Sequence, residues 1–177
     1  DARTKLDELL QAEALAEMTP YERARVYQLS FNLNMHDEAY EAAQADLQAA
    51  LESGGLNAQE VSQLEYQNAQ LYVQREDYAK AADSLELWIA QEEAPNPAAY
   101  YLLAASYYYQ EKFDDARDHM ETVMSMPGEK HEGWYSMMAS LYIQGKDYAK
   151  ATPVMERMVA QYGKETYRAQ LAGLYLQ

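Results

Sequence analysis

The feature that most constrains this chain is a short string that returns at a fixed distance. Arg75–Ala82 reads REDYAKAA and Gly145–Thr152 reads GKDYAKAT. Between them, Glu111–Asp118 reads EKFDDARD, about 35 residues from each neighbour. Self-similarity at such a period means that one small supersecondary unit is copied along a line. Each unit buries its apolar face by stacking on its neighbours, so the function must lie in the surface the copies build.

The units are helical. Apolar residues fall at i, i+3, i+4 and i+7 over almost the whole length, and strand signals are absent. Thr19-Pro20-Tyr21-Glu22 is a capping box with Pro at the first helical position. Ser53-Gly54-Gly55 ends a helix, and Asn57 with Glu60 starts the next. Asn96-Pro97 starts another, and Pro127-Gly128 closes the helix before the next start. These signals predict ten helices, at about 2–18, 20–35, 38–52, 58–75, 78–92, 97–111, 113–126, 130–144, 148–161 and 164–177. Short connections make neighbours antiparallel hairpins. Pro153 removes one backbone hydrogen bond and is expected to kink its helix locally.

Aligning the copies gives columns. Tyr72, Tyr107, Tyr142 and Tyr175 share one, with Ala69, Ala104, Ala139 and Ala172 three residues earlier. Tyr78, Phe113 and Tyr148 share another, followed by Ala81, Ala116 and Ala151, then by Leu85, Met120 and Met155. Small residues let two helices approach closely, and an aromatic beside them fills the gap to the next hairpin. A degenerate first copy has Ser30 and Leu33 in its first helix and Tyr40, Ala43, Leu47 and Ala50 in its second. Its halves are out of phase by one residue, which predicts an insertion in the turn near His36.

This order of small residue, Tyr, aromatic and Ala resembles the tetratricopeptide repeat. The resemblance covers residues 20–177, with Glu65 at a position where a large apolar residue is usual and Ala often in place of Gly. It implies an all-α fold: a right-handed superhelical solenoid of antiparallel helix hairpins. About four and a half hairpins would fill 20–177, after one extra N-terminal helix in 1–19. The last helix, ending GLYLQ, has a first-helix pattern with no partner following it. Leu171, Leu174, Tyr175 and Leu176 make a poor polar cap. The array is therefore expected to run on beyond Gln177, or its end to pack against another molecule, a second copy in a homo-oligomer included.

The composition excludes several function classes. A net charge of −15 repels phosphate backbones and anionic lipid heads, so nucleic acid is not an expected partner. No apolar run approaches the roughly 20 residues of a membrane span. With no Cys there is no disulfide, zinc ribbon or thiol nucleophile. No nucleotide-binding or hydrolase motif is present. Asp115 and His119 lie four apart on one helix face, but a metal site needs three or four converging ligands. No cofactor, metal or catalytic residue is expected, and the chain is not expected to be an enzyme.

In tetratricopeptide solenoids the first helix of each hairpin lines a concave face where partners commonly bind. Carrying those positions over gives Tyr27, Phe31, Asn34 and Met35 in the first copy, then Gln63, Tyr66, Gln70, Val73 and Gln74. The third copy gives Ala98, Tyr101, Ala105, Tyr108 and Tyr109, and the fourth Ser136, Ser140, Ile143 and Gln144. None is charged. Drawing none by chance from this composition has odds on the order of 1%. The expected site is a Tyr- and Gln-lined trough for a partner peptide or helix, centred on Tyr108 and Tyr109, with Tyr107 packed inward. The alternative is that the phase is wrong and these positions are core. The trough has no Lys or Arg, unlike that of the co-chaperones which hold acidic chaperone tails.

A narrower resemblance lies at the end of the chain. WYSMMASLYIQGKDYAKATPVMERMVAQYG and KETYRAQLAGLYLQ resemble the tetratricopeptide proteins encoded beside TonB, ExbB and ExbD in Gram-negative bacteria. Trp134-Tyr135, Tyr142, Asp147-Tyr148, Ala151, Tyr167, Gln170-Leu171 and Gly173 carry it. It implies a periplasmic adaptor of a TonB-type transport system. The alternatives are a cytoplasmic secretion chaperone that holds an export substrate, and a self-assembling structural array.

Overall fold

The computed structural model describes residues 2–177. Among them are eleven helices and no strand. They are α1 (Ala2–Leu9), α2 (Ala12–Glu17), α3 (Pro20–His36), α4 (Tyr40–Glu52), α5 (Ala58–Gln74), α6 (Tyr78–Gln91), α7 (Pro97–Tyr109), α8 (Phe113–Ser125), α9 (Glu132–Gln144), α10 (Tyr148–Tyr162) and α11 (Glu165–Leu174). The single helix expected over 2–18 is two, broken where Gln11 is extended. No residue of α2 is buried, so no packing holds it in line with α1.

The starts follow the capping chemistry. Thr19 Oγ1 accepts from Glu22 N–H and Glu22 returns a carboxylate to Thr19 N–H, closing the capping box of α3. Asn57 and Glu60 do the same for α5. Asn96 caps α7 ahead of Pro97. At α10, Gly163 ends the helix in the left-handed region with φ 64°, and the helix runs through Pro153, whose ring is exposed.

The chain forms two compact units, one ending at Ser84 and the other Leu85–Gln177, divided inside α6. In the first, α3 pairs with α4, and Phe31, Ala43, Leu47 and Leu71 form a core. Leu6 of α1 is buried, and Arg3 donates to the Asn34 carboxamide at 2.8 Å. The loop before α5 passes so near α3 that a Cβ at Gly55 would lie 2.2 Å from Tyr21 N. In the second unit α7 pairs with α8 and α9 with α10, around Met120, Met138, Leu141, Met155 and Leu174. The small-residue column is sealed where a hairpin closes over it: Ala104 is 0% and Ala139 3% exposed.

One turn is used four times. The backbone N–H of Ala39, Asp77, Lys112 and Asp147 donates to the carbonyl of Asn34, Tyr72, Tyr107 and Tyr142 respectively, at 2.8–3.0 Å. The residue before each donor is left-handed: Glu38, Glu76, Glu111 and Lys146, with φ between 57° and 61°. The turn near His36 therefore holds no insertion. The first copy is in phase once Asn34, and not Leu33, stands in the tyrosine column, with Phe31 in the small-residue column. The expectation failed because a buried Asn and Phe occupy columns that elsewhere hold Tyr and Ala. Asn34 is satisfied by Arg3, by Asp46 at 2.6 Å and by Ser30. The copies also differ in length: α3 and α5 have 17 residues, α7 and α9 have 13.

Those left-handed turns predict an easy gain. A non-glycine residue there costs about 1–2 kcal/mol, and Gly gives back about 0.5–1 kcal/mol in unfolded-state entropy. Glu76→Gly, Glu111→Gly and Lys146→Gly are each expected to raise stability by ~0.5–1 kcal/mol, read as a higher urea midpoint at unchanged slope. A lower midpoint in all three would show that the side chains hold the turns.

Candidate functional site

What aims the first-helix face is the seam between hairpins in the second unit. The hydroxyls of Tyr107, Tyr142 and Tyr175 donate to Glu86, Glu121 and Glu156, the last two at 3.0 and 2.6 Å. Each joins a first helix to the second helix of the hairpin before it. Burial, aided by the bond to Glu121, pushes the Tyr142 phenol up to about 12. Lys150 bonds Glu121 at 3.2 Å and lies over the Tyr142 ring. A second clasp joins the starts of α9 and α11, where Lys164 and Tyr167 both donate to Glu132. Those two donors hold the Glu132 carboxyl below its usual range. The glutamates of the first seam recur 35 residues apart, a signal present in the sequence beside the tyrosine column.

His119 lies within this seam and outside the face. Its ring stacks on Tyr107 at 5.6 Å and 5°, and the Tyr100 ring lies tilted to it at 6.4 Å. Burial lowers its pKa, while Glu86, Asp115 and Asp118 oppose the shift. A depressed base binds more protons unfolded than folded, so its stability contribution is complete above the unfolded value of about 6.5 and is lost as pH falls below it. The melting temperature is expected to fall between pH 7 and 5, above the range in which Glu121 and Glu132 titrate. His119→Phe keeps the stacking and should flatten that slope; an unchanged slope would place the titration elsewhere. Among the described residues no group of three metal-ligating side chains converges, and no helix is long and apolar enough to cross a membrane.

With the register set by the turns, the face positions can be read copy by copy. On α5 they are Gln63, Tyr66, Gln70, Val73 and Gln74, on α7 Ala98, Tyr101, Ala105, Tyr108 and Tyr109, and on α9 Gly133, Ser136, Ser140, Ile143 and Gln144. Gln70, Gln74 and Gln144 are exposed, Ser140 half-buried, and Tyr66 half-buried with its phenol pushed up by burial. Tyr109 is 59% exposed, whereas Tyr101 and Tyr108 are half-buried against the core of the second unit. Tyr107 is half-buried.

Two candidate residues are corrected. Phe31 is 6% exposed and belongs to the core of the first unit. Tyr27 aligns with Tyr100 and Tyr135, which turn to the second helix of their own hairpins, toward His119 and Arg157. The one-residue phase error explains both, and Asn34 with them. On α3 the face positions are instead Arg25, Gln28, Asn32, Met35 and His36, so this strip is not free of charge. Arg25 lies 3.9 Å from Glu60 and donates to Gln28. With Gln28, Asn32, Gln63 and Gln67 it lines a cleft of about 180 Å³ over Phe31 and Leu64.

Sequence reasoning placed the helix α11 but left its face unread. Its face positions are Thr166, Ala169, Gly173 and Leu176 up to Gln177, all exposed, with Leu176 at 86%. The strips on α5, α7, α9 and α11 thus carry no charged side chain.

No protein-family model matches the chain, and no curated protein sequence matches it. Solved structures do match. MamA protein is 14% identical with a TM-score of 0.73, over 87% of this chain and 81% of that one. YrrB, described as a TPR protein with an unusual peptide-binding site, is 18% identical with a TM-score of 0.70, over 97% and 86%. A tetratricopeptide repeat protein from Parabacteroides merdae is 14% identical with a TM-score of 0.65, over 98% and 70%. At these identities the likeness is one of fold. The fold is all-α, that of the tetratricopeptide-repeat solenoids.

Proposed function

We propose that this chain is a non-enzymatic protein–protein interaction scaffold, and that the first-helix face of its second unit holds a peptide or helix of a partner protein. The observation that carries this reading is the missing charge. The strips on α7, α9 and α11 hold Tyr, Gln, Ser, Thr, small residues, Ile143 and Leu176, and no charged side chain, in a chain whose net charge is −15. A solvated face draws charged residues; a face that desolvates against a partner excludes them. Tyr109 at 59% and Leu176 at 86% exposure supply apolar area of the kind interfaces use. YrrB, whose fold this chain shares, is described as having a peptide-binding site.

The finer reading is a periplasmic adaptor of a TonB-type system, supported by the Trp134–Gly173 pattern. The test is capture from separate envelope and cytosolic fractions on immobilised wild type and Tyr109→Ala. A partner that wild type retains from the envelope and Tyr109→Ala releases supports both readings. One retained equally by the two proteins overturns the face as the site, and one found only in the cytosolic fraction overturns the compartment.

A further inference from the structure

We propose that the segment held on the second unit's face is proline-rich and bound in the polyproline II conformation; this rests on the interaction reading above. Three properties of the face single out that partner. The first is charge: α7 and α9 present none, so a partner chosen for its charge gains nothing there, while a proline-rich segment has no charge to match. The second is hydrogen bonding. A polyproline II chain makes no internal hydrogen bonds, its carbonyls stay outward, and Pro contributes no N–H. It therefore needs donors, which the hydroxyls of Tyr101, Tyr108, Ser136 and Ser140 and the carboxamide of Gln144 can provide. A helical partner has its backbone satisfied internally and would set aliphatic side chains against those hydroxyls.

The third property is the shape and spacing of the rings. Tyr109 stands edge-on to Tyr108 at 88° and 5.8 Å, a right-angled notch with one wall mostly exposed. Tyr101 leans on Trp134 at 6.0 Å, and its hydroxyl lies beside Gly133, 3.7 Å from where a Cβ would stand. Flat rings between polar donors are how proline-rich segments are held in general. Tyr101 and Tyr108 are seven residues apart on one helix, about 10.5 Å at 1.5 Å per residue. One polyproline II turn of three residues spans about 9.3 Å. Successive turns of the ligand can thus meet successive rings.

The test uses the full chain with Trp88→Phe, which leaves Trp134 as the single tryptophan and the reporter beside Tyr101. Nonaproline, an alanine-rich helical nonapeptide and an uncharged Ser/Thr-rich nonapeptide are each titrated by fluorescence, with calorimetry on the unmodified chain as the second measurement. Nonaproline is expected to bind saturably below ~1 mM, a weak-complex affinity. The other two are expected to bind at least about fivefold more weakly, and Tyr109→Ala to weaken nonaproline by a similar factor. No saturable signal or heat with nonaproline, or equal binding of all three, overturns the proposal. If nonaproline fails while Tyr109→Ala still releases a captured protein, polyproline recognition falls and the interaction reading stands.

Discussion

Leu141→Ala is expected to lower the unfolding free energy by ~2–5 kcal/mol. Leu141 sits on α9 at 1% exposure, in the cluster that joins Met120 of α8, Met155 of α10 and Leu174 of α11. Removing its branched end deletes contacts to several helices at once, and close-packed neighbours relax only partly into the gap. Domains of this size are stable by only about 5–15 kcal/mol, so the loss is a large fraction of the total. Ile143→Ala, two residues on, is the control. Ile143 is 36% exposed on the first-helix face and should cost under ~1.5 kcal/mol. Urea unfolding of both variants checks this. Equal losses would mean that the face side of α9 is as much core as its inner side.

Tyr109→Ala is expected to weaken partner binding by about 10-fold or more, with helicity unchanged. Interface tyrosines truncated to alanine often cost over 1 kcal/mol, and tenfold corresponds to about 1.4 kcal/mol. Tyr109 suits the test better than the neighbouring rings of Tyr101 and Tyr108. Tyr108 packs edge-on against Phe113 and Tyr101 leans on Trp134, so either truncation removes core contacts along with the face. Tyr109 keeps most of its ring in solvent. Circular dichroism separates loss of binding from loss of fold.

The repeat made most of the fold legible. The columns Ala69–Ala172 and Tyr72–Tyr175 placed the helix pairs, and Thr19, Asn57 and Asn96 marked starts that the caps reproduce. What failed was the phase of α3. Periodicity locates a column by residue type, and Phe31 and Asn34 are of the wrong type for their columns. Asn34 is tolerated there only because Arg3 and Asp46, distant in sequence, satisfy its carboxamide. No local pattern announces that network. Hence Tyr27 and Phe31 were assigned to the trough, and Arg25 was missed. The half-buried state of Tyr101 and Tyr108 was equally hidden, because a helical period says which way a residue faces and not how deeply its neighbours enclose it. The glutamate partners of the tyrosine column were visible, since Glu86, Glu121 and Glu156 keep the repeat spacing.

The central claim is that binding runs through the uncharged first-helix face of the second unit. The most direct measurement is the dissociation constant of one captured partner for wild type, Tyr109→Ala and Leu87→Ala, each at low and high salt. Leu87 is 64% exposed on α6, a second helix, and matches Tyr109 as a large exposed apolar residue away from the face. The expected result is a loss of about 10-fold or more for Tyr109→Ala alone, and a wild-type constant that changes little with salt, because screening acts on charges the face does not have. A loss for Leu87→Ala as large as that for Tyr109→Ala, or a wild-type affinity that collapses in high salt, would contradict it.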